Sequence, residues 1–181
     1  MKNTFKTKDM VVSALLIAIG ILIPMIFTGP PFRIVVGPYS ATLMAHVPVV
    51  IAMFISPMTA ILTTVGTTIG FFFTAPLVVA VRAASHVLFA VLGAYFIKKG
   101  MRAIPLCLIT GVIHSVIEGI VVMIFFTGGL STPTEGYSIA ALVWITIIGT
   151  MAHHCVDFII AYIVGKGLSR AKMLPQLPKL I

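Results

Sequence analysis

Two ionisable residues lie inside an otherwise apolar stretch, PLVVAVRAASHVLFAVLGAYF, which covers residues 76–96. Arg82 and His86 are four residues apart and therefore share one face of a helix. A guanidinium keeps its charge at any ordinary pH and matches a carboxylate in a two-pronged geometry. Ionisable groups in hydrocarbon cost about 2.5–3.5 kcal/mol each on insertion scales, so they usually face a cavity or a partner. The stretch therefore predicts either an anion-binding pocket or an ion pair between helices.

Other apolar segments also carry ionisable residues, often at the same four-residue spacing: His46, His114 with Glu118, and His153 and His154 with Asp157. At about 1.5 Å per residue, Arg82 lies roughly 9 Å and His86 roughly 15 Å below one end of its segment. Glu118 lies about 13 Å below the matching end of the next segment. The two pairs are thus expected to meet in an outward-facing cavity, with a purely structural Arg82–Glu118 ion pair as the alternative. For His86 and His114, binding and structural roles remain equally open.

The HHCVD stretch combines side chains that are common metal ligands. His153 and His154 are adjacent and point about 100° apart on a helix, so this helix alone does not form a full site. We therefore expect a helix-packing or gating role for the stretch, and neither a metal site nor a cofactor. The sequence does not decide which role His153, His154 and Asp157 have.

The composition places these residues in a membrane. The chain is 60% hydrophobic and only 9% charged, with a mean hydropathy of +1.18, whereas soluble domains carry roughly 25% charged residues. Pro57 and Pro76 mark helix starts, because proline suits a first turn and disfavours helix in the residue before it. The prediction is a single-domain, all-α membrane protein over residues 1–181, a compact bundle of six transmembrane helices at about 10–28, 41–56, 57–74, 76–97, 103–127 and 139–165.

The basic residues fix the expected orientation. With six spans, ten of the twelve basic residues fall on one side, and Arg33 is the one basic residue in an opposite loop. The positive-inside rule then places both termini in the cytoplasm, and five spans would fit the charges less well. The ten residues are Lys2, Lys6, Lys8, Lys98, Lys99, Arg102, Lys166, Arg170, Lys172 and Lys179.

Small residues recur at four-residue spacing in two segments, as Ala14 with Ala18 and as Gly66 with Gly70. Such spacing allows helices to approach closely in a membrane. For the two glycines we expect packing within the bundle. The first span has no charged residue after Asp9, so its small-residue face suits a partner helix.

These features together resemble the substrate-binding S components of energy-coupling-factor (ECF) vitamin transporters. The resemblance covers essentially the whole chain and is carried by six compact spans, the N-terminal KTKDMVVSALLIAIGILIP and a capping loop after the first helix. The stretch HVPVVIAMFISP, residues 46–57, is most similar to the niacin-type branch.

The resemblance implies a subunit that binds a vitamin from outside and has no ATPase of its own. It would dock through Ala14 and Ala18 on a transmembrane T component that carries two ATP-binding-cassette ATPases, which use the ATP. Residues 29–40 would close over the pocket as a lid. The implied substrate-binding residues are Arg82, His86, His114, Glu118, His46, Trp144, Tyr39 and Phe32.

Nicotinate is the best guess for the substrate, although Arg82 does not choose among the vitamins that carry a carboxylate. Arg82 would hold its carboxylate, a histidine or Glu118 would meet its ring nitrogen, and Trp144 or Tyr39 would stack on the ring. Folate, pantothenate, biotin and riboflavin remain alternative substrates. The metal-transporting branch fits less well, because its members begin with Met-His and this chain begins MKN.

Two other function classes remain open. His114 with Glu118, or His154 with Asp157, would suit the acid–base or metal chemistry of an intramembrane hydrolase, although the chain contains neither HExxH nor GxSxG. A proton-coupled carrier would favour inverted repeats and matching broken helices, which the sequence does not show.

Overall fold

The computed structural model describes residues 7–36, 39–130 and 136–181. Within these ranges the protein is predominantly helical, as predicted, with six α-helices and one β-hairpin. In chain order the elements are α1 (Thr7–Ile26), β1 (Arg33–Val36), β2 (Tyr39–Thr42), α2 (Val47–Ile55), α3 (Pro57–Thr74), α4 (Leu77–Lys98), α5 (Ala103–Thr127) and α6 (Ile139–Arg170). Lys2 and Lys6 of the charge count, residues 37–38 of the expected lid and residues 131–135 of the loop before α6 lie outside the described residues.

Five of the described helices are long and apolar enough to cross a membrane, namely α1, α3, α4, α5 and α6. The predicted second span, 41–56, is only partly helical. Its helix α2 has nine residues and is about 14 Å long, whereas the hydrocarbon core is about 30 Å thick. Helix α2 is instead a central core element, because Val49, Val50 and Ala52 are completely buried.

The break between α2 and α3 has a local cause. The residue before a proline disfavours helix, and Ser56 precedes Pro57 in extended conformation. The Ser56 hydroxyl then accepts a hydrogen bond of 3.1 Å from the Thr59 amide, which caps α3.

The predicted lid loop, 29–40, is not a plain loop, and the all-α expectation is wrong at this point. Strands β1 and β2 pair antiparallel, with Arg33 opposite Thr42 and Val36 opposite Tyr39. The β-branched run of β1 favours a strand. Strand β2 buries Tyr39 and Thr42 against the bundle, while β1 is largely exposed. The hairpin therefore covers one end of the bundle with β2 on its inner side.

The glycines of α3 allow α1 to pack closely against it. A Cβ on Gly66 would lie 2.9 Å from the carbonyl oxygen of Ile17, and one on Gly70 would lie 2.5 Å from that of Ile21. The expected internal packing of these glycines is thus confirmed. Ala14 and Ala18 lie on the other side of α1 and are exposed.

Candidate functional site

The centre of the bundle contains a buried ion pair between α4 and α5. Nη2 of Arg82 lies 2.7 Å from Oε2 of Glu118, and both side chains are about 4% exposed. The same carboxylate accepts a hydrogen bond of 2.5 Å from the Thr150 hydroxyl on α6. Its other oxygen lies 3.2 Å from Nε2 of His86. Glu118 therefore links three helices at one point.

Arg82 is only partly satisfied by these contacts. Nη2 also reaches the Ser40 carbonyl of β2 at 3.4 Å. Nε and Nη1 are buried and have no hydrogen-bond partner among the described residues. A buried donor without a partner loses its hydration without compensation, and the loss is larger for a charged group. The arrangement is suited to a further acceptor, such as a ligand carboxylate.

Tyr39 connects the hairpin to this site. Its ring lies 5.6 Å from Cζ of Arg82, within the range of a cation–π contact. Its other contact is Gly149 on α6, where an added Cβ would lie 2.6 Å from Cζ of the ring. Burial raises the pKa of the Tyr39 phenol to about 12, although the Arg82 charge acts in the opposite direction. The hydroxyl therefore stays neutral at ordinary pH.

Three histidines from different elements form a compact cluster beside the ion pair. The ring centroids of His46 and His86 lie 4.7 Å apart, those of His46 and His114 4.6 Å apart, and those of His86 and His114 4.6 Å apart. Phe89 packs on His114 with a centroid distance of 4.6 Å. All three imidazoles are buried, and we call them the histidine triad.

Asp157 positions His46 in this cluster. Its carboxylate accepts hydrogen bonds from the backbone amides of Met44 at 2.9 Å and His46 at 3.0 Å. Met44 has a φ of 67°, a backbone conformation that residues other than glycine adopt only at some cost. The turn before α2 is therefore held in place by a carboxylate on α6. The ring of His153, one helical turn before Asp157 on α6, lies 4.6 Å from the His46 ring, measured between centroids.

A small cavity of about 20 Å³ lies between the hairpin and these residues. Its walls include Ser40, Thr42, His46, Arg82, His86 and Glu118. Such a volume holds a single water molecule or ion, and a vitamin is much larger.

The structure brings together Arg82, His86, His114, Glu118, His46 and Tyr39. It does not bring Trp144 or Phe32 to the cavity. Trp144 is 62% exposed on the outer face of α6, because the buried face of that turn carries Leu142 and Thr146. Phe32 is 45% exposed and stacks on Phe27 at 4.6 Å.

Sequence reasoning missed Thr150 and the backbone contacts of Asp157. Thr150 is a hydroxyl residue four positions before His154 in an apolar helix, which is a usable signal. The Asp157 contacts join residues more than a hundred positions apart, and no local pattern indicates them.

No family model and no solved structure matches the chain. Among curated proteins, the niacin transporter NiaX of Lactococcus lactis subsp. cremoris (strain MG1363) is 34% identical over 174 residues. The match covers 92% of this chain and 77% of that protein. Together with the apolar helices, it makes this chain a multi-pass protein of the cell membrane and a transport subunit rather than an enzyme. The chain belongs to the niacin-type branch of the ECF transporter S components.

Proposed function

We propose that this chain is the substrate-binding subunit of an ECF-type importer for niacin. The identity with a niacin transporter supports the substrate. The unpartnered Nε and Nη1 of Arg82 carry the argument from the structure. These buried donors adjoin the cavity and fit the carboxylate of nicotinate, with which a guanidinium forms charge-assisted hydrogen bonds.

The remaining cavity residues suit the rest of the ligand. Nicotinate has a flat ring with a nitrogen acceptor at the position meta to its carboxylate. His46 and His86 lie beside Arg82 in the cavity wall. They form the part of the site that receives this nitrogen. Tyr39 is the aromatic side chain of the hairpin nearest to Arg82, and it stacks on the ring.

The hairpin is the lid of this pocket. The cavity of about 20 Å³ is too small for a pyridine ring. Strand β2 forms one wall and is held there by the contacts of Tyr39 and Ser40 with α6 and Arg82. Niacin therefore enters when β2 moves away from α4 and α6.

The topology has six crossings with both termini in the cytoplasm. Residues 41–56 form the second crossing, partly as non-helical backbone, which is tolerated at membrane depth where it is buried in protein. The distribution of basic residues supports the orientation.

The uptake complex also contains a T component and two ATP-binding-cassette ATPases. The exposed small residues Ala14 and Ala18 on α1 provide a flat docking surface for the T component. The ATPases use the ATP, and this chain needs none.

A binding titration tests the proposal. The purified protein should bind nicotinate, and pantothenate, biotin, folate and riboflavin should not compete. Arg82→Gln should abolish binding, whereas Arg102→Gln, which changes an exposed arginine at the start of α5, should leave it unchanged. Full affinity in Arg82→Gln would contradict the carboxylate contact, and competition by another vitamin would contradict the choice of substrate.

A further inference from the structure

The hydrogen bonds around His114 determine which of its nitrogens carries a proton. The Thr110 hydroxyl donates to the Leu106 carbonyl at 2.7 Å, so its oxygen is free to accept from Nε2 of His154 at 3.1 Å. A neutral His154 then has its lone pair on Nδ1 and accepts from Nδ1 of His114, also at 3.1 Å. Nε2 of His114 is left with an unprotonated lone pair.

That lone pair faces a negative charge. Nε2 of His114 lies 3.3 Å from Oε1 of Glu118, yet it makes no hydrogen bond. Two acceptors at this distance repel each other. The guanidinium of Arg82 hydrogen-bonds the other oxygen of this carboxylate at 2.7 Å, and among the described residues no donor reaches Nε2 of His114. A second cation beside this nitrogen would relieve the repulsion.

The other two members of the histidine triad have the same organisation. Nε2 of His86 contacts Glu118 at 3.2 Å, and its Nδ1 is buried without a partner. Nδ1 of His46 lies 3.1 Å from the Asp157 carboxylate. Each imidazole thus has one buried nitrogen without a hydrogen bond among the described residues, namely Nδ1 of His46, Nδ1 of His86 and Nε2 of His114. His86 and His114 are also held through their other nitrogen, by Glu118 and His154 respectively. Metal-binding histidines are typically held in this way by an outer partner.

The ligand distances and the charge balance agree with this reading. The three histidines each offer a nitrogen within 4.8 Å of the others. Nitrogen ligands about 2.0–2.1 Å from one ion lie at most about 4.2 Å apart, so an ion between the rings needs at most a small inward movement of the imidazoles. Two buried carboxylates contact the histidine triad, that of Glu118, which pairs with Arg82, and that of Asp157 beside His46, and nicotinate adds a third negative charge. A divalent cation and Arg82 together carry three positive charges, which balance the three carboxylates.

We propose that His46, His86 and His114 bind one divalent transition-metal ion, with zinc as the best match, and that the ring nitrogen of niacin takes its open fourth position. Three imidazoles with one open position are a common zinc arrangement, and imidazole also suits copper and nickel. The part of this proposal that concerns niacin rests on the proposed function. It departs from the sequence-based expectation of no metal, because the triad combines residues from the turn before α2, from α4 and from α5, and HHCVD supplies none of its members.

A second group, His46 with His153 and Asp157, also has suitable spacing. Both oxygens of Asp157 already accept backbone hydrogen bonds from the turn before α2. The triad, with its unpartnered nitrogens, is therefore the preferred site.

Metal content of the purified protein tests the site directly. Protein stripped with a chelator and then dialysed against Zn²⁺ should hold one zinc per chain by elemental mass spectrometry, and Mg²⁺ should not bind. His86→Gln and His114→Gln should each weaken zinc binding at least tenfold, whereas the matched variant His153→Gln should retain it. No zinc uptake by the stripped protein, or loss of zinc in His153→Gln with retention in His86→Gln, would overturn the assignment.

A further variant tests the site without changing any of the three histidines, so the result does not depend on how well the histidine variants fold. Thr110→Val keeps all three imidazoles but removes the acceptor that orients His154 and, through it, His114. It should weaken zinc binding about 10- to 100-fold, the usual effect of losing an outer partner. Wild-type zinc affinity in Thr110→Val would contradict the hydrogen-bond relay.

Ligand binding separates the metal proposal from the proposed function. Nicotinate should bind the zinc-loaded protein at least tenfold more tightly than the stripped protein, and benzoate, which lacks the ring nitrogen, should show no such difference. Equal nicotinate affinity in both forms would overturn the metal contact while leaving niacin binding intact. Zinc uptake without any nicotinate binding would leave the metal site standing and reject the proposed function.

Discussion

Arg82 and Glu118 form an ion pair with 2.7 Å between Nη2 and Oε2, and both side chains are buried between α4 and α5. Removing one partner of such a pair leaves an uncompensated charge, which is far more costly than replacing both. Single and double variants of this pair can therefore distinguish its effect on the stability of the bundle from its effect on ligand binding.

Glu118→Gln is expected to destabilise the protein by about 3–5 kcal/mol, because it leaves Arg82 buried without its counter-charge. The double variant Arg82→Met with Glu118→Met should unfold at nearly the wild-type midpoint while binding no niacin. Unfolding of detergent-solubilised protein measures the midpoints of the single and double variants, and a binding titration measures their niacin affinity. Asp9→Asn, at the start of α1, is the control, and a wild-type midpoint for Glu118→Gln would contradict the structural role of the pair.

Ala14→Trp and Ala18→Trp should impair transport and assembly with the T component but leave niacin affinity unchanged. Both positions are exposed on α1, and neither lines the cavity. The matched control is Ile163→Trp, an exposed position on α6. Co-purification and uptake into reconstituted vesicles provide the measurements. Full uptake by both the Ala14→Trp and the Ala18→Trp variants would show that the T component docks elsewhere.

Gly70→Ala should destabilise the protein by roughly 1–3 kcal/mol, because the new methyl group would lie 2.5 Å from a backbone oxygen of α1. Gly167→Ala is the matched control, since no atom lies within 4 Å of the added Cβ. There alanine should stabilise α6 by about 0.5–1 kcal/mol. Thermal unfolding of the two variants should therefore shift in opposite directions, and parallel shifts would contradict the close approach of α1 and α3.

Gly149→Val should weaken niacin binding by roughly tenfold, or about 1.4 kcal/mol. Its side chain would occupy the place of the Tyr39 ring, since even a Cβ would lie 2.6 Å from Cζ of that ring. The hairpin would then close less well, while the bundle below it is unchanged. Isothermal titration measures the affinity, and an unchanged thermal midpoint excludes general unfolding. Wild-type affinity would mean that Tyr39 does not hold the lid.

The sequence predicted those parts of the site that depend on helix spacing and depth. Arg82, His86, His114 and Glu118 lie on two long helices joined by a short connection, so counting residues was enough to place them together. The same counting did not show which side of α6 faces inward. Trp144 was therefore predicted for the pocket, although it lies on the outer face.

The hairpin and the position of His46 depend on contacts distant in sequence. Strand β1 has four residues, too few for a clear periodic signal. The turn that carries His46 is held by Asp157 on the last helix. Local sequence patterns indicate neither the pairing of β1 with β2 nor the contact of Asp157 with this turn. The histidine triad was therefore not predicted as a unit.

The small size of the cavity beneath β2 has a kinetic consequence. With the hairpin acting as the proposed lid, substrate capture is expected to be limited by how often the hairpin opens and not by diffusion alone, because the cavity of about 20 Å³ admits only a water-sized guest. The same barrier slows escape, so a bound vitamin has a long residence time. Association rates should therefore level off at high niacin concentration, and tight binding should arise mainly from slow dissociation.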